Sequence, residues 1–365
     1  MLCIVFYPAW GLFHQSHFCL KCAYSPFHNS SLLGNSKNMQ NGTSAPEFIL
    51  LGFLGLQKFW FLLFITFLTA YLFILLGNVF IIIIINMDVD LRIPMYFFLS
   101  NFSFLEICYT SVTVPRLLVD FLTGSRAISF QRCITQMYFF FFFGTTEFLL
   151  LATMAYDRYL AICQPLRYPV LMNGRACIRL ALTSWLSGSL TPFLPTAFIS
   201  QLPFNSSNQI NHFFCDTGPL IELSTGDTFM AQAMIFLVSA VIVPVSFLLT
   251  LISYALIIFT IWHIPSASGR YKAFSTCSSH LMVVTIFYGT VIFMYLCPRS
   301  GRSSDMNKMI SVFYAVVTPM LNPIIYTLRN KDVKRALEKI LNQVKDKWWT
   351  HGGKAFLAKE TQATC

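Results

Sequence analysis

Seven stretches of this chain are long, apolar and almost free of charge: 59–85, 95–118, 134–156, 180–200, 229–261, 273–297 and 309–328. A helix needs about 20 apolar residues to cross the hydrocarbon core of a bilayer. The runs are continuous rather than alternating, which favours helices over barrel strands, since both spanning solutions must pair every backbone polar group internally. Ionisable residues within them are few: Glu106 and Arg116 in the second, Glu147 in the third and His280 in the sixth.

Composition agrees: 56% of the 365 residues are hydrophobic and only 11% are charged, whereas an average soluble domain carries roughly 25% charge. This excludes a soluble enzyme, a disordered chain and a nucleic-acid binder, despite the net charge of +10. The basic residues flank the apolar runs, and sixteen of the 25 Lys and Arg fall in the segments that face inward if the N-terminus lies outside. The second inner segment holds Arg158, Arg167, Arg175 and Arg179. The outer loop 201–228 holds none, but carries Asp216, Glu222 and Asp227. The positive-inside rule therefore orients the chain N-outside, C-inside. Sequons at Asn41 and Asn205 fall outside on this orientation and are candidate glycosylation sites.

The expected fold is an all-α membrane protein: a seven-transmembrane helix bundle, N-terminus outside, C-terminus inside, with a short amphipathic helix after span seven. Residues 1–38 are set apart as an N-terminal extension, with Met39 an alternative start. Residues 39–58 form the extracellular N-terminus, 59–328 the seven-transmembrane domain and 329–365 the cytoplasmic tail. Eleven cysteines do not amount to a disulfide scaffold. Cys19 and Cys22 are spaced like half a zinc site, but no second half follows, so no metal is expected.

Ionisable groups inside a span cost roughly 3 kcal/mol at its centre on insertion scales and usually face the bundle interior. Glu106 and Glu147, with Asn78, Ser103 and Asn322, could line a hydrated pocket holding a sodium ion. The alternative is that each glutamate is a protonated structural acid. The third span ends in Asp157-Arg158-Tyr159, where an arginine with two possible partners makes a switch or snorkels to the interface. The seventh contains PMLNPIIY: Pro319 and Pro323 free backbone groups that Asn322 could rebind, and Tyr326 lies one turn on.

Here the residues resemble a family. Gly77-Asn78, PMYFFLSNFSFLEICYTSVTVP (94–115), MAYDRYLAICQPLRYPVLM (154–172), Ser253-Tyr254, KAFSTCSSHL (272–281) and PMLNPIIYTLRNKDVKRAL (319–337) together resemble an olfactory receptor of the rhodopsin-like G-protein-coupled class. The likeness runs from about Met39 to Leu341. It implies a plasma-membrane receptor of sensory cilia that binds a small odorant and raises cAMP through a stimulatory G protein. It implies a disulfide between Cys133 and Cys215, and an inner switch of Asp157, Arg158, Tyr159, Tyr254, Asn322, Pro323 and Tyr326. A second disulfide, frequent in such loops, is missing here: Asn205 and Thr225 stand where its cysteines are expected.

Helical period then places the ligand. Counting outward from Arg158, Glu147, Gly144, Phe140 or Phe141, and Met137 share its inward face, with Gly144 about 21 Å and Phe140 about 27 Å away. In span six the walk from His280 reaches Tyr288, Ile292 and Tyr295. With Thr145, these residues form an aromatic and aliphatic chamber with a few hydroxyls and no acid in its upper part, suited to a mostly neutral volatile molecule. The alternative is that the aromatics only pack helix on helix. Transporters are disfavoured because no half-repeat symmetry is present. An intramembrane enzyme is disfavoured because His280 has no partner pattern.

Overall fold

The computed structural model describes residues 47–204, 208–296, 304–329, 332–339 and 342. Among the described residues six helices are each long and apolar enough to cross a bilayer: Leu54–Met87, Pro94–Thr123, Phe130–Cys163, Phe229–Trp262, Ala267–Phe293 and Met306–Thr327. The expected fourth crossing is divided. Its first helix, Gly174–Leu190, starts where the Asn173 side chain accepts the Ala176 N–H at 3.0 Å and ends before Thr191-Pro192; a second helix, Phe193–Ser200, follows. Proline cannot supply the N–H that would continue the ladder, so the apolar run 180–200 is two helices rather than one.

The remaining boundaries also follow from local chemistry. Pro94 opens the second span at the position where a missing N–H costs nothing. Gly124 closes it in the left-handed region at φ 67°. The seventh span carries two widened π-helical turns, Phe313–Val317 and Ile325–Arg329, on either side of Thr318–Ile324, which contains both prolines. Carbonyls loosened there are taken up by hydroxyls: Thr318 Oγ1 donates to Phe313 O at 3.2 Å and Thr327 Oγ1 to Pro323 O at 2.7 Å. Asn322 was expected to do this; its amide instead reaches across to the second span.

The spans touch most closely where a side chain is missing. A Cβ on Gly77 would meet Pro323 Cβ at 2.8 Å, so only glycine lets the first span lie against the bend of the seventh. Gly188 likewise backs onto Thr146 of the third span. Large apolar residues on the opposite helix faces, such as Leu62, Leu76 and Phe259, are exposed in the protein alone and would meet lipid.

One end of the bundle carries a small sheet that departs from the all-α expectation. β1 (Glu47–Leu50) lies between β2 (Ala127–Ser129), antiparallel, and β3 (Gln209–Ile210), parallel. Its inner face joins Cys133, Met137, Ile199, Cys215 and Leu220 in an apolar cluster of its own. At the opposite end, a short helix, 332–339, buries Val333 and Ala336 and exposes Lys334, Arg335 and Glu338; it is the amphipathic helix expected after span seven. The sheet and the 208–228 loop thus mark the expected outer end, and 332–339 the expected inner end.

Candidate functional site

At the expected outer end, aromatic rings from three elements gather around Phe140. Its ring lies 4.6 Å from Phe214 of the outer loop, 5.0 Å from Tyr109 of the second span and 6.0 Å from Tyr314 of the seventh. Gly144, one turn inward, faces the Tyr109 ring and keeps room beside it. Tyr288 is buried among Phe148, Phe247 and Phe287, with its hydroxyl 3.5 Å from Thr250 Oγ1. Phe141 and Thr145 are half-buried, Phe141 touching both apolar clusters. Met137 is sealed in the outer cluster under the disulfide.

Ile292 is 42% exposed, and Val291 holds the core position at that height; counting by fours from His280 drifts off the inward face because the helix turns every 3.6 residues. The side chain of Tyr295 lies outside the described residues, as do Asn41 and Asn205. Sequence reasoning missed Tyr109, Phe214 and Tyr314. Tyr109 sits three residues after Glu106, so the same helical count applied to the second span would have found it. A separate cleft of about 410 Å³ between β1 and the first two spans, lined by Leu50, Phe53, Leu117, Phe121 and Phe213, contains none of the expected ligand residues.

Cys133 and Cys215 form a disulfide, with Cα atoms 5.4 Å apart. Gln136, one turn further along, seats the loop: its Oε1 accepts the Cys215 N–H at 3.0 Å and its Nε2 donates to Val112 O at 3.0 Å.

Midway along the bundle, Asn322 Nδ2 donates to Glu106 Oε1 at 2.6 Å, tying spans two and seven. Glu106 Oε2 is buried without a partner. Glu147 is buried in the third span. Asn78 spends its amide on Ile74 O at 3.0 Å within its own helix. Among the described residues no group of three or more His, Cys, Asp and Glu gathers as metal ligands, so any cation here would be held by two carboxylates and neutral oxygens.

At the inner end Arg158 Nε and Nη2 both donate to Asp157 Oδ2, at 3.1 and 2.7 Å, and both residues are buried. Tyr168, in the one-turn helix Tyr168–Leu171, donates to Asp157 Oδ1 at 2.9 Å. Burial and the Asp157 charge beside it push the Tyr168 hydroxyl up from its ordinary value, keeping it a donor. Tyr254 and His280 are joined at 2.6 Å across spans five and six. Tyr326 is fully buried against Phe102, its hydroxyl without a partner. Tyr159 is half-buried and accepts from Gln164. Tyr168 was not anticipated, because nothing in the sequence around it marks a partner for Asp157.

The helix 332–339 is pinned nearby. Lys339 Nζ reaches Asp88 at 3.0 Å and Asp90 at 3.1 Å, and Tyr96 donates to Asp332 at 3.0 Å. The Lys339 bond, then the Asp90 backbone N–H, holds the Asp88 carboxyl below its usual value; the same carboxylates raise Lys339. A lowered acid stabilises above the ordinary carboxylate range and loses its effect as pH falls through it. A raised lysine stabilises below the ordinary lysine range and loses its effect as pH rises past it. The clamp should therefore be flat between about pH 5 and pH 9 and sensitive to salt, because Lys339 is half-exposed. Hydrogen exchange checks this. Lys339→Ala should speed exchange in 332–339 severalfold, and about 1 M salt should reproduce the change in the unmodified chain.

The apolar helices thus carry a disulfide-held loop at one end of the bundle and a buried Asp–Arg pair at the other. The family model described as Olfactory receptor matches residues 67–344. Olfactory receptor 11L1 of Homo sapiens is 50% identical over 318 residues, covering 87% of this chain and 99% of that protein. Olfactory receptor 6Q1 of Homo sapiens is 50% identical over 305 residues (83% and 96%). Olfactory receptor 6B9 of Mus musculus is 50% identical over 303 residues (83% and 96%). The chain belongs to the olfactory receptor family of G-protein-coupled receptors; it is a signalling receptor and not an enzyme.

Proposed function

We propose that this receptor binds a small, mostly neutral volatile molecule in the outer third of the bundle and activates a stimulatory G protein of the olfactory class, raising cAMP, at the plasma membrane of sensory cilia. The observation that carries the reading is the third span itself. One buried face runs from Phe140, among the chamber aromatics, to Arg158 at the inner end. An aromatic chamber with hydroxyls from Tyr109, Tyr288 and Tyr314 rewards apolar area and one or two hydrogen bonds. Screening an odorant panel for cAMP in cells expressing the receptor tests this. Responses confined to charged amines, or signalling without cAMP, would overturn it.

The midplane carboxylates belong to the same reading. A sodium ion shared by Glu106 and Glu147, or a proton in its place, would offset their mutual repulsion; the unpartnered Glu106 Oε2 is the atom that favours a further ligand. Glu106→Gln and Glu147→Gln keep shape and hydrogen bonding, so both receptors should reach the surface. Basal cAMP, or its dependence on sodium and pH, should shift about fivefold or more, the lower range of coupling between sites. Wild-type behaviour of both variants across sodium and pH would leave the glutamates as structural acids.

A further inference from the structure

His212 of the outer loop is hydrogen-bonded to Ser311 of the seventh span. It is 3% exposed and has one hydrogen bond at each ring nitrogen. The Phe214 N–H donates to Nδ1 at 3.4 Å, so Nδ1 must be bare. Nε2 therefore carries the proton and donates to Ser311 Oγ at 3.0 Å. Ser311 completes the arrangement by donating to Asn307 O at 2.9 Å while accepting from Tyr314 at 3.0 Å. Every polar atom is matched only when the imidazole is neutral. The ring also packs face to face on Phe213 at 4.8 Å and edge-on to Phe214 at 4.4 Å, and Phe214 in turn lies on Phe140.

We propose that His212 is a positioning residue for ligand recognition: in its neutral form it fixes Phe214 over Phe140, and its protonation unpins this part of the loop from the seventh span. A proton on Nδ1 would set two donors, Nδ1–H and the Phe214 N–H, against each other. It would also bury a cation beside Lys308. Among the described residues the charged groups that act on the ring are Asp216 of the same loop and Lys308 of the seventh span, opposite in effect; Tyr314 shares Ser311 with it. Burial, the largest influence, lowers the histidine below its ordinary value. The pinned state thus holds fewer protons than the released one. Its stability is complete above the ordinary histidine range and falls as pH drops below it.

The consequence for odorants rests on the reading of the outer chamber; the pin does not. Hydrogen exchange of the full-length receptor in lipid nanodiscs, corrected for intrinsic rates, separates the two. From about pH 7.5 to about pH 5.5 the Phe214 and Cys215 amides should exchange up to about tenfold faster, because the released imidazole titrates near its ordinary value. His212→Gln should abolish that pH dependence. Ser311→Ala, a milder change should His212→Gln fold poorly, should make exchange at the higher pH as fast as the unmodified receptor shows at the lower. Flat exchange in the unmodified receptor, a pH dependence retained in His212→Gln, or unchanged exchange in Ser311→Ala would each overturn the pin. If exchange behaves as expected but odorant potency is indifferent to pH, the pin stands and the reading of the chamber fails.

Discussion

Arg158→Ala is expected to reduce odorant-evoked cAMP to background while surface receptor stays within about twofold of the unmodified level. Removing one partner of a buried pair usually costs several kcal/mol because the other charge is left alone. Here Asp157 keeps the Tyr168 hydroxyl, 2.9 Å from Oδ1, so one of its oxygens stays paired. The receptor should fold and still fail to signal. Asp157→Asn is the informative companion. It weakens the hold on Arg158 without removing it, so basal cAMP should rise. Two variants that move in opposite directions fit a switch; equal loss of surface receptor in both would mean that the pair only holds the helix end together. Flow cytometry for surface receptor alongside a cAMP reporter reads both quantities in the same cells.

The second large effect is expected at the disulfide. Cys133 and Cys215 are 82 residues apart in sequence, and a link closing a loop of that length constrains the unfolded chain by on the order of 4 kcal/mol. Cys133→Ser and Cys215→Ser should each remove most receptor from the cell surface, and the double variant should be no worse than either single. Additive losses would show that the thiols act separately. Because the loop also seats the Cys215 N–H on Gln136, Gln136→Ala should give a smaller loss of the same kind, by about one buried hydrogen bond.

The bundle was legible because hydropathy over a membrane span is a strong signal that needs no partner to be recognised. The inner pair was legible for a different reason: Asp157 and Arg158 are adjacent, so their geometry is local. Glu106 and Asn322 both stood out, but their bond joins residues 216 positions apart, and no periodicity reports that. Strands of two to four residues are too short to show alternation, so the outer sheet left no trace in the pattern. The break at Thr191-Pro192 was masked because the residues on both sides are apolar and the run reads as continuous. His212 was passed over for want of context; its two partners lie at positions 214 and 311, and only folding brings them to one ring.

The sheet bears on the order in which the receptor is made. β1 leaves the ribosome first, yet it is the middle strand, and its parallel neighbour β3 is synthesised some 160 residues later. Until 209–210 has been synthesised, β1 has an open edge, and the cluster beneath it, with Cys133 still a thiol, stays uncovered. The outer cap therefore closes as a late event, after at least four helices have been inserted. Chaperones that survey exposed strand edges and unpaired cysteines have that whole interval in which to hold the nascent receptor. A variant that slows closure of the cap would be retained inside the cell even if its finished form were stable.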